Sequence, residues 1–338
     1  MEDAYIVKGG QPLKGEVQLS GAKNIALKVI IAALMFDGPV TIKNIPHIRD
    51  IEELIHLITI LGGKASFVEK NKVIIDGSNI TSNRIDLLHA SKVRVSFMFF
   101  APLLKKFRQV LIPNPGGCRI GARDIDRPIS VLRHMGVDVS YNSEDGYYTA
   151  KLKSETLNGT TYRFDKPSHT GTEFAIMLAS LAEGITVLEN PSSEPEIDDL
   201  IEFLNNSGAK ITKKNSSIII EGVNTLKSDT TYTIQNDRNE AVTYACLGIA
   251  TRGDVTIKGI QVKDIEIFID KVKESGGNVE IGDNCIRFFY MKPINATEIT
   301  VLPHPGFMTD WQGPWAVLMT QAEGTSIIHE TVYENRFA

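Results

Sequence analysis

Only three of the 338 residues are cysteine: Cys118, Cys246 and Cys285. They form an odd set with no CxxC pair and no metal-ligand spacing, so neither a disulfide framework nor a zinc site is expected to organise the chain. A reducing cytoplasm is the simplest compartment for such a set. No run of about 18 apolar residues occurs, so no membrane span is expected. The most apolar stretch, IALKVIIAALMF, is broken by Lys28 and reads as a buried helix. Basic charge is not in excess: 36 Lys and Arg face 41 Asp and Glu, for a net charge of −5. A general nucleic-acid or membrane-surface binder would be basic, so neither partner is expected. The N-terminal MEDAYIVKGGQPLKGE has no cationic stretch followed by an apolar one, unlike a signal peptide.

What is present is a repeat. Glycines that close amphipathic helices recur at Gly62 (ILGGKASF), Gly136 (HMGVDVSY), Gly208 (NSGAKITK) and Gly276 (ESGGNVEI). The segments FDGPVTIKNI, AEGITVLENP, TRGDVTIKGI and AEGTSIIHET form a second series, a helix end followed by a Val/Ile-rich strand. A spacing of about 70 residues exceeds the usual solenoid period and suits a βαβαββ unit. Each unit then has an apolar helix, a strand, an amphipathic helix such as Ile51, Leu54, Ile55, Ile58, Leu61, and two closing strands. By this reading the chain holds four whole units and enters a fifth near Glu298, leaving the second domain incomplete.

The segment NPGGCRIGARDIDRP (Asn114–Pro128) stands apart from the repeat. It is polar, lies between the apolar runs VLIP and ISVL, and reads as a long loop from a strand into a helix, with Pro128 in the first helical turn. Gly116 and Gly117 permit mobility. Arg119 and Arg123 would lower the Cys118 thiol pKa from about 8.5. A reactive thiol on a lid and a plain exposed thiol both remain open from these residues alone. Cys246 (TYACLGIA) and Cys285 (DNCIRFF) read as structural. LSGAKN (Leu19–Asn24) taken alone reads as a helix start with an exposed lysine. Arg94, in the apolar SKVRVSF, is costly to bury unpaired and so implies an anionic partner.

Taken together, LSGAKN, PGGCRIGARDID, EPEI (Glu194–Ile197), HPGFMTD (His304–Asp310) and ETVYENRF (Glu330–Phe337) resemble the enolpyruvyl transferase family, specifically its UDP-N-acetylglucosamine 1-carboxyvinyltransferases. The resemblance runs the length of the chain. It implies an α/β (α+β) fold of two inverse α/β barrels built from βαβαββ units, with the chain stopping inside the fifth of six. The first domain would span residues 15–222, and the second would combine residues 1–14 with 223–338. The strand YIVKGG would cross into the second domain, with hinges near Lys14–Ser20 and Val223–Thr230.

The resemblance also implies the reaction: transfer of the enolpyruvyl group of phosphoenolpyruvate to the 3-hydroxyl of UDP-N-acetylglucosamine with phosphate release. This is the first committed step of peptidoglycan precursor synthesis. No cofactor or metal is implied, and the oligomeric state is not. Cys118 matches the lid cysteine that acts as general acid, and Asp310 the carboxylate near the sugar hydroxyl. Lys23 and Asn24 match the pair that contacts phosphoenolpyruvate. Arg94 and Arg123 match substrate-contacting arginines. Asp124, Ile125, Asp126 and Arg127 match one part of the nucleotide site, and Lys166, Pro167, Ser168 and His169 another. Val332 matches a backbone contact to the sugar, while Asp237 and Arg336 match motif residues. The chain departs from the pattern at Arg127 and Pro128, where leucine and histidine are usual. It departs again at His169, an added charge, and at Thr170, where glycine is common. Two other readings stand beside this one: a UDP-sugar-binding fragment without chemistry, and the sister transferase acting on shikimate 3-phosphate, which lacks the lid-cysteine motif.

Overall fold

The computed structural model describes residues 4–116, 120–121 and 125–337. In chain order, β1 (Lys14–Gln18) comes first. It is followed by α1 (Lys23–Ala32), β2 (Val40–Lys43), α2 (Arg49–Ile60), β3 (Lys64–Glu69) and β4 (Lys72–Asp76). Next come α3 (Leu87–Ala90), a 3-10 turn at Arg94–Phe99, α4 (Phe100–Lys106), β5 (Gln109–Pro113), α5 (Asp126–His134), β6 (Val137–Asn142) and β7 (Tyr147–Leu152). The third group is β8 (Thr161–Arg163), α6 (His169–Ser180), β9 (Ile185–Glu189), α7 (Pro195–Asn206), β10 (Lys210–Lys214) and β11 (Ser217–Glu221), after which comes β12 (Thr230–Thr233). The fourth group is α8 (Arg238–Ala250), β13 (Asp254–Lys258), α9 (Glu266–Glu274), β14 (Asn278–Gly282) and β15 (Cys285–Phe289). β16 (Glu298–Val301), α10 (Thr309–Met319) and β17 (Ile327–Glu330) complete the series.

The repeat is visible in the sheets. The orders β8-β9-β11-β10, β12-β2-β4-β3 and β1-β13-β15-β14 are one pattern, with the first pair parallel and the rest antiparallel. β5-β7-β6 follows it, with a parallel bridge from Arg84 to Leu111 in place of the first strand. β16 and β17 pair in parallel across α10, as the opening βαβ of such a unit does. Gly62, Gly136, Gly208 and Gly276 follow α2, α5, α7 and α9 with φ of 95°, 88°, 98° and 85°. This left-handed conformation favours glycine and ends each amphipathic helix before its closing hairpin.

The chain forms two compact units, Gly21–Gln235 and Met1–Ser20 with Asn236–Ala338. They divide near positions 20 and 235 rather than 14 and 222. Two strands account for the difference. β1 joins β13 in the unit that holds most of the C-terminal residues, with Lys14 opposite Asp254. β12 joins β2 in the other unit, with Thr230 opposite Val40. The strand expected at YIVKGG is absent from its place: residues 4–13 carry no regular structure, and Tyr5, Ile6 and Val7 are exposed.

In the unit Gly21–Gln235, α1 and α6 are buried almost all round, from Ile25 to Ala32 and from Gly171 to Ser180. Such helices cannot lie on a surface, so they occupy the interior. The amphipathic α2 and α7 cover it with Ile51, Leu54, Leu57 and Ile58, and with Ile197, Leu200, Phe203 and Leu204. The strands alternate: Val73 and Ile75 of β4 and Ile218 and Ile220 of β11 face inward, with more exposed residues between them. Helices inside and sheets outside make this the inverse arrangement. In the other unit, Phe268, Phe288, Phe307, Trp311 and Trp315 form an aromatic core of mostly edge-on or tilted pairs.

Candidate functional site

The candidate residues of the first unit sit where helices begin. Lys23 is the first residue of α1, and the preceding Ala22 supplies no side-chain cap. The Lys23 ammonium pairs at 2.7 Å with Asp50, the second residue of α2. A carboxylate there also answers the positive end of the α2 dipole. Asn24 is half-buried beside it. Arg94 opens the 3-10 turn with its side chain half-buried, and Phe97 in that turn meets Phe174 of α6 edge-on at 5.5 Å.

Two stretches of candidate residues converge. Asp126 and Arg127 are the first two residues of α5, and Ile125 is buried behind them. Lys166, Pro167, Ser168 and His169 lead into α6, where Ser168 caps the helix and accepts the Gly171 N–H at 3.3 Å. Arg127 binds Asp165 through two parallel hydrogen bonds, Nε to Oδ1 at 2.7 Å and Nη2 to Oδ2 at 3.0 Å. The Arg127 guanidinium and the Lys166 backbone N–H hold the Asp165 carboxyl down at about 2. Leucine at position 127 would have no such grip.

A second link runs beneath this surface. Glu173 of α6 is fully buried and pairs with Lys28 of α1 at 3.1 Å and with His169 Nε2 at 3.3 Å. Burial opposes both charges, but the neighbours prevail: Glu173 is lowered by His169 and Lys28, and His169 is raised by Glu173. Lys28 and Glu173 are the sixth and fifth residues of their helices, so each helix start lies within about 8 Å of the ion pair along its axis.

In the other unit, Asp310 is the second residue of α10, and its Oδ1 accepts from Arg336 Nη2 at 3.1 Å. Glu330 organises the surroundings. It accepts the backbone N–H groups of Val332 at 2.7 Å and Tyr333 at 3.1 Å, and the Thr309 hydroxyl at 2.9 Å. The Val332 N–H is thereby engaged within the chain. Asp237 is the N-cap of α8, accepting from Asn239 N at 2.8 Å. Buried Arg238 meets His304 Nδ1 at 3.1 Å, and Trp311 donates to Asn239 at 2.8 Å.

Cys118, Arg123 and Asp124 lie outside the described residues. Gly116, expected to lend mobility, has a tighter role: a Cβ there would sit 1.6 Å from the Ser91 carbonyl oxygen. Of the other thiols, Cys246 is buried and its pKa is pushed up by burial, while Cys285 is half-buried. Among the described residues no group of three or more His, Cys, Asp or Glu gathers as a metal site, and no helix is long and apolar enough to cross a membrane. A polar cleft of about 660 Å³ bounded by Lys271, Glu274, Glu298 and Thr300 holds none of the candidate residues.

Asp50, Asp165 and Glu173 escaped the reading of the sequence, and Glu330 entered it only as the first residue of a motif, with no role. Glu173 alone left a local signal, a carboxylate in the otherwise apolar TEFAIMLAS, one helical turn after His169.

The inverse α/β arrangement is the one expected of the enolpyruvyl transferases, and the chain belongs to the EPSP synthase family. That family's model, EPSP synthase (3-phosphoshikimate 1-carboxyvinyltransferase), matches residues 7–338. Curated relatives narrow the resemblance. UDP-N-acetylglucosamine 1-carboxyvinyltransferase 3 of Caldanaerobacter subterraneus subsp. tengcongensis is 42% identical over 99% of this chain and 79% of its own. The UDP-N-acetylglucosamine 1-carboxyvinyltransferase of Thermodesulfovibrio yellowstonii is 40% identical over the same shares. Among solved structures, the enolpyruvyl transferase NikO from Streptomyces tendae aligns with a TM-score of 0.86 at 22% identity, covering 98% of this chain and 78% of NikO. EPSP synthase from Acinetobacter baumannii aligns at 0.70 and 16% identity, over 96% and 75%. These two likenesses concern the fold.

Proposed function

We propose that this protein transfers the enolpyruvyl group of phosphoenolpyruvate to the 3-hydroxyl of UDP-N-acetylglucosamine, releasing phosphate, as the first committed step of peptidoglycan precursor synthesis in the cytoplasm. The observation that carries the reading is the 42% identity, over 99% of the chain, to a relative bearing that activity in its name.

The chemistry is an addition followed by an elimination: the methylene carbon gains a proton as the sugar oxygen bonds to the neighbouring carbon, and the methyl group so formed gives a proton back as the bond to phosphate breaks and the double bond re-forms. The phosphoenolpyruvate methylene carbon must gain a proton, and Cys118 is the acid. The sugar hydroxyl must lose one, and Asp310 is the base, with Arg336 orienting its carboxylate. Lys23, Asn24, Arg94 and Arg123 hold the carboxylate and phosphate of phosphoenolpyruvate and stabilise the negative charge that grows on the phosphate as it leaves. Asp124 to Arg127 and Lys166 to His169 hold the nucleotide, joined by the Arg127–Asp165 pair. The Val332 backbone is the contact proposed for the sugar.

The second reading, transfer to shikimate 3-phosphate, draws on the family model's description. Against it stands PGGCRIGARDID, whose cysteine that transferase lacks. Phosphate release from phosphoenolpyruvate, measured with each acceptor in turn, decides between them. Release is expected with UDP-N-acetylglucosamine alone, and release only with shikimate 3-phosphate would reverse the assignment.

A further inference from the structure

A lysine–glutamate pair buried to 5% and 0% exposure is expensive, because each charge gives up its water. Such a pair is weak evidence for stability, so its position demands another explanation. Glu173 uses one oxygen for Lys28 and turns the other toward His169 Nε2. A bare nitrogen lone pair against that carboxylate would be repelled, so Nε2 carries a proton. Glu194, 5% exposed and with Oε2 unbonded among the described residues, adds a second negative field on the imidazole. A second proton, on Nδ1, would make the ring an imidazolium and set a further positive charge among these acidic side chains. The charged and titratable groups acting on the ring are thus Lys28 from α1, Glu173 from its own helix and Glu194 from the segment before α7.

The geometry also sets which edge of the ring is available. Nε2 is buried, yet the His169 side chain keeps 20% of its surface exposed. The open edge is therefore on the Nδ1 side. His169 is the first residue of α6, directly after the capping Ser168, where unpaired backbone N–H groups and the helix dipole already favour an anion.

We propose that Lys28 and Glu173 are positioning residues that hold His169 as an imidazolium at the start of α6, where it donates a charged hydrogen bond to the diphosphate of the bound nucleotide. The proposal deepens, and rests on, the nucleotide reading of residues 166–169 given above. Neither Lys28 nor Glu173 touches the ligand; both act through the ring. The charge is kept below the surface rather than added to it, which fixes the ring's orientation as well as its protonation.

Two measurements on the whole protein test it. Nitrogen-15 NMR of the imidazoles, with His169→Gln to assign the signal, reads the charge of His169 without any ligand. The doubly protonated form is expected at neutral pH, and Glu173→Gln should convert it to the neutral form. Calorimetric titration with UDP, from pH about 7 to about 9, reads the ligand. Wild-type affinity should fall as pH rises, whereas His169→Gln should bind about tenfold more weakly with no such fall. A neutral His169 in the wild type at pH 7 would overturn the proposal, and so would a His169→Gln protein with wild-type affinity and pH profile. If His169 is charged and the wild type binds no UDP, the nucleotide reading fails and takes the ligand assignment with it, while the charged network stands. His169→Gln changes a partly exposed side chain, so the binding arm does not depend on a buried variant folding.

Discussion

Arg127 and Asp165 lie 38 positions apart and meet in a two-point guanidinium–carboxylate pair. The pair fastens the start of α5 to the loop that leads into α6, and so joins two stretches proposed to hold the nucleotide, from different repeat units. Asp165→Asn keeps the shape and removes the charge. Arg127 and Asp165 are 39% and 66% exposed, so the stability loss should be under about 1 kcal/mol. The Asp165 carboxyl is depressed in the fold, so its small contribution exists above pH ~4 and is lost as pH falls toward about 2. The expected kinetic effect is a several-fold rise in KM for UDP-N-acetylglucosamine with KM for phosphoenolpyruvate unchanged. Steady-state kinetics check it; equal changes in both constants would contradict it.

Lys28 and Glu173 should show strong energetic coupling. Lys28→Met alone leaves the buried Glu173 carboxylate with only His169 opposite it and should cost about 3 kcal/mol. Lys28→Met combined with Glu173→Leu removes both charges and should recover most of that. A double-mutant cycle by urea unfolding measures the coupling, and additive losses would refute it.

Asp199 gives the fold a pH dependence of opposite sign to Asp165. It accepts from the Tyr232 hydroxyl and from Gln235 N at 2.9 Å, yet burial raises its pKa to about 6. A carboxyl with a raised folded pKa favours the fold while protonated. Its contribution is full below pH ~4 and is lost as pH rises through about 6, a change on the order of 3 kcal/mol. Unfolding free energies of wild type and Asp199→Asn, compared at pH about 4.5 and about 7, should differ by an amount that changes with pH. A constant difference would show that Asp199 does not titrate in that range.

The thiols should separate cleanly. Cys246 is 3% exposed and its pKa is raised by burial, so a thiolate-directed alkylating reagent near neutral pH should leave it unmodified in the folded protein. As the proposed acid, Cys118 should be essential: Cys118→Ala is expected to lower phosphate release by about 10²–10⁴-fold. Peptide mapping after alkylation and a phosphate assay test the two halves. Modified Cys246 in folded protein, or an active Cys118→Ala enzyme, would count against the account.

The repeat was legible because its marks are local. A glycine at each helix end and a Val/Ile strand after each helix are written within ten residues of each other. The strands that complete two of the sheets were not, since β1 and β12 pair with partners about 190 to 240 residues away and nothing in KGEVQ or TTYT names them. YIVKGG has the composition of a strand, but composition gives no pairing partner. At the site, motif residues could be matched one by one, whereas the groups that hold them could not. Lys28 read as a break in an apolar run because its partner lies 145 residues on. Arg127 read as a departure from the family pattern, and only the fold shows that Asp165 receives it.

The most direct test of the central claim is to identify the product made from phosphoenolpyruvate and UDP-N-acetylglucosamine by mass spectrometry and proton NMR. The account predicts a UDP-N-acetylglucosamine carrying an enolpyruvyl ether at the sugar 3-oxygen, formed in step with phosphate. Phosphate without that ether, or an ether on another acceptor and none on this one, would contradict it.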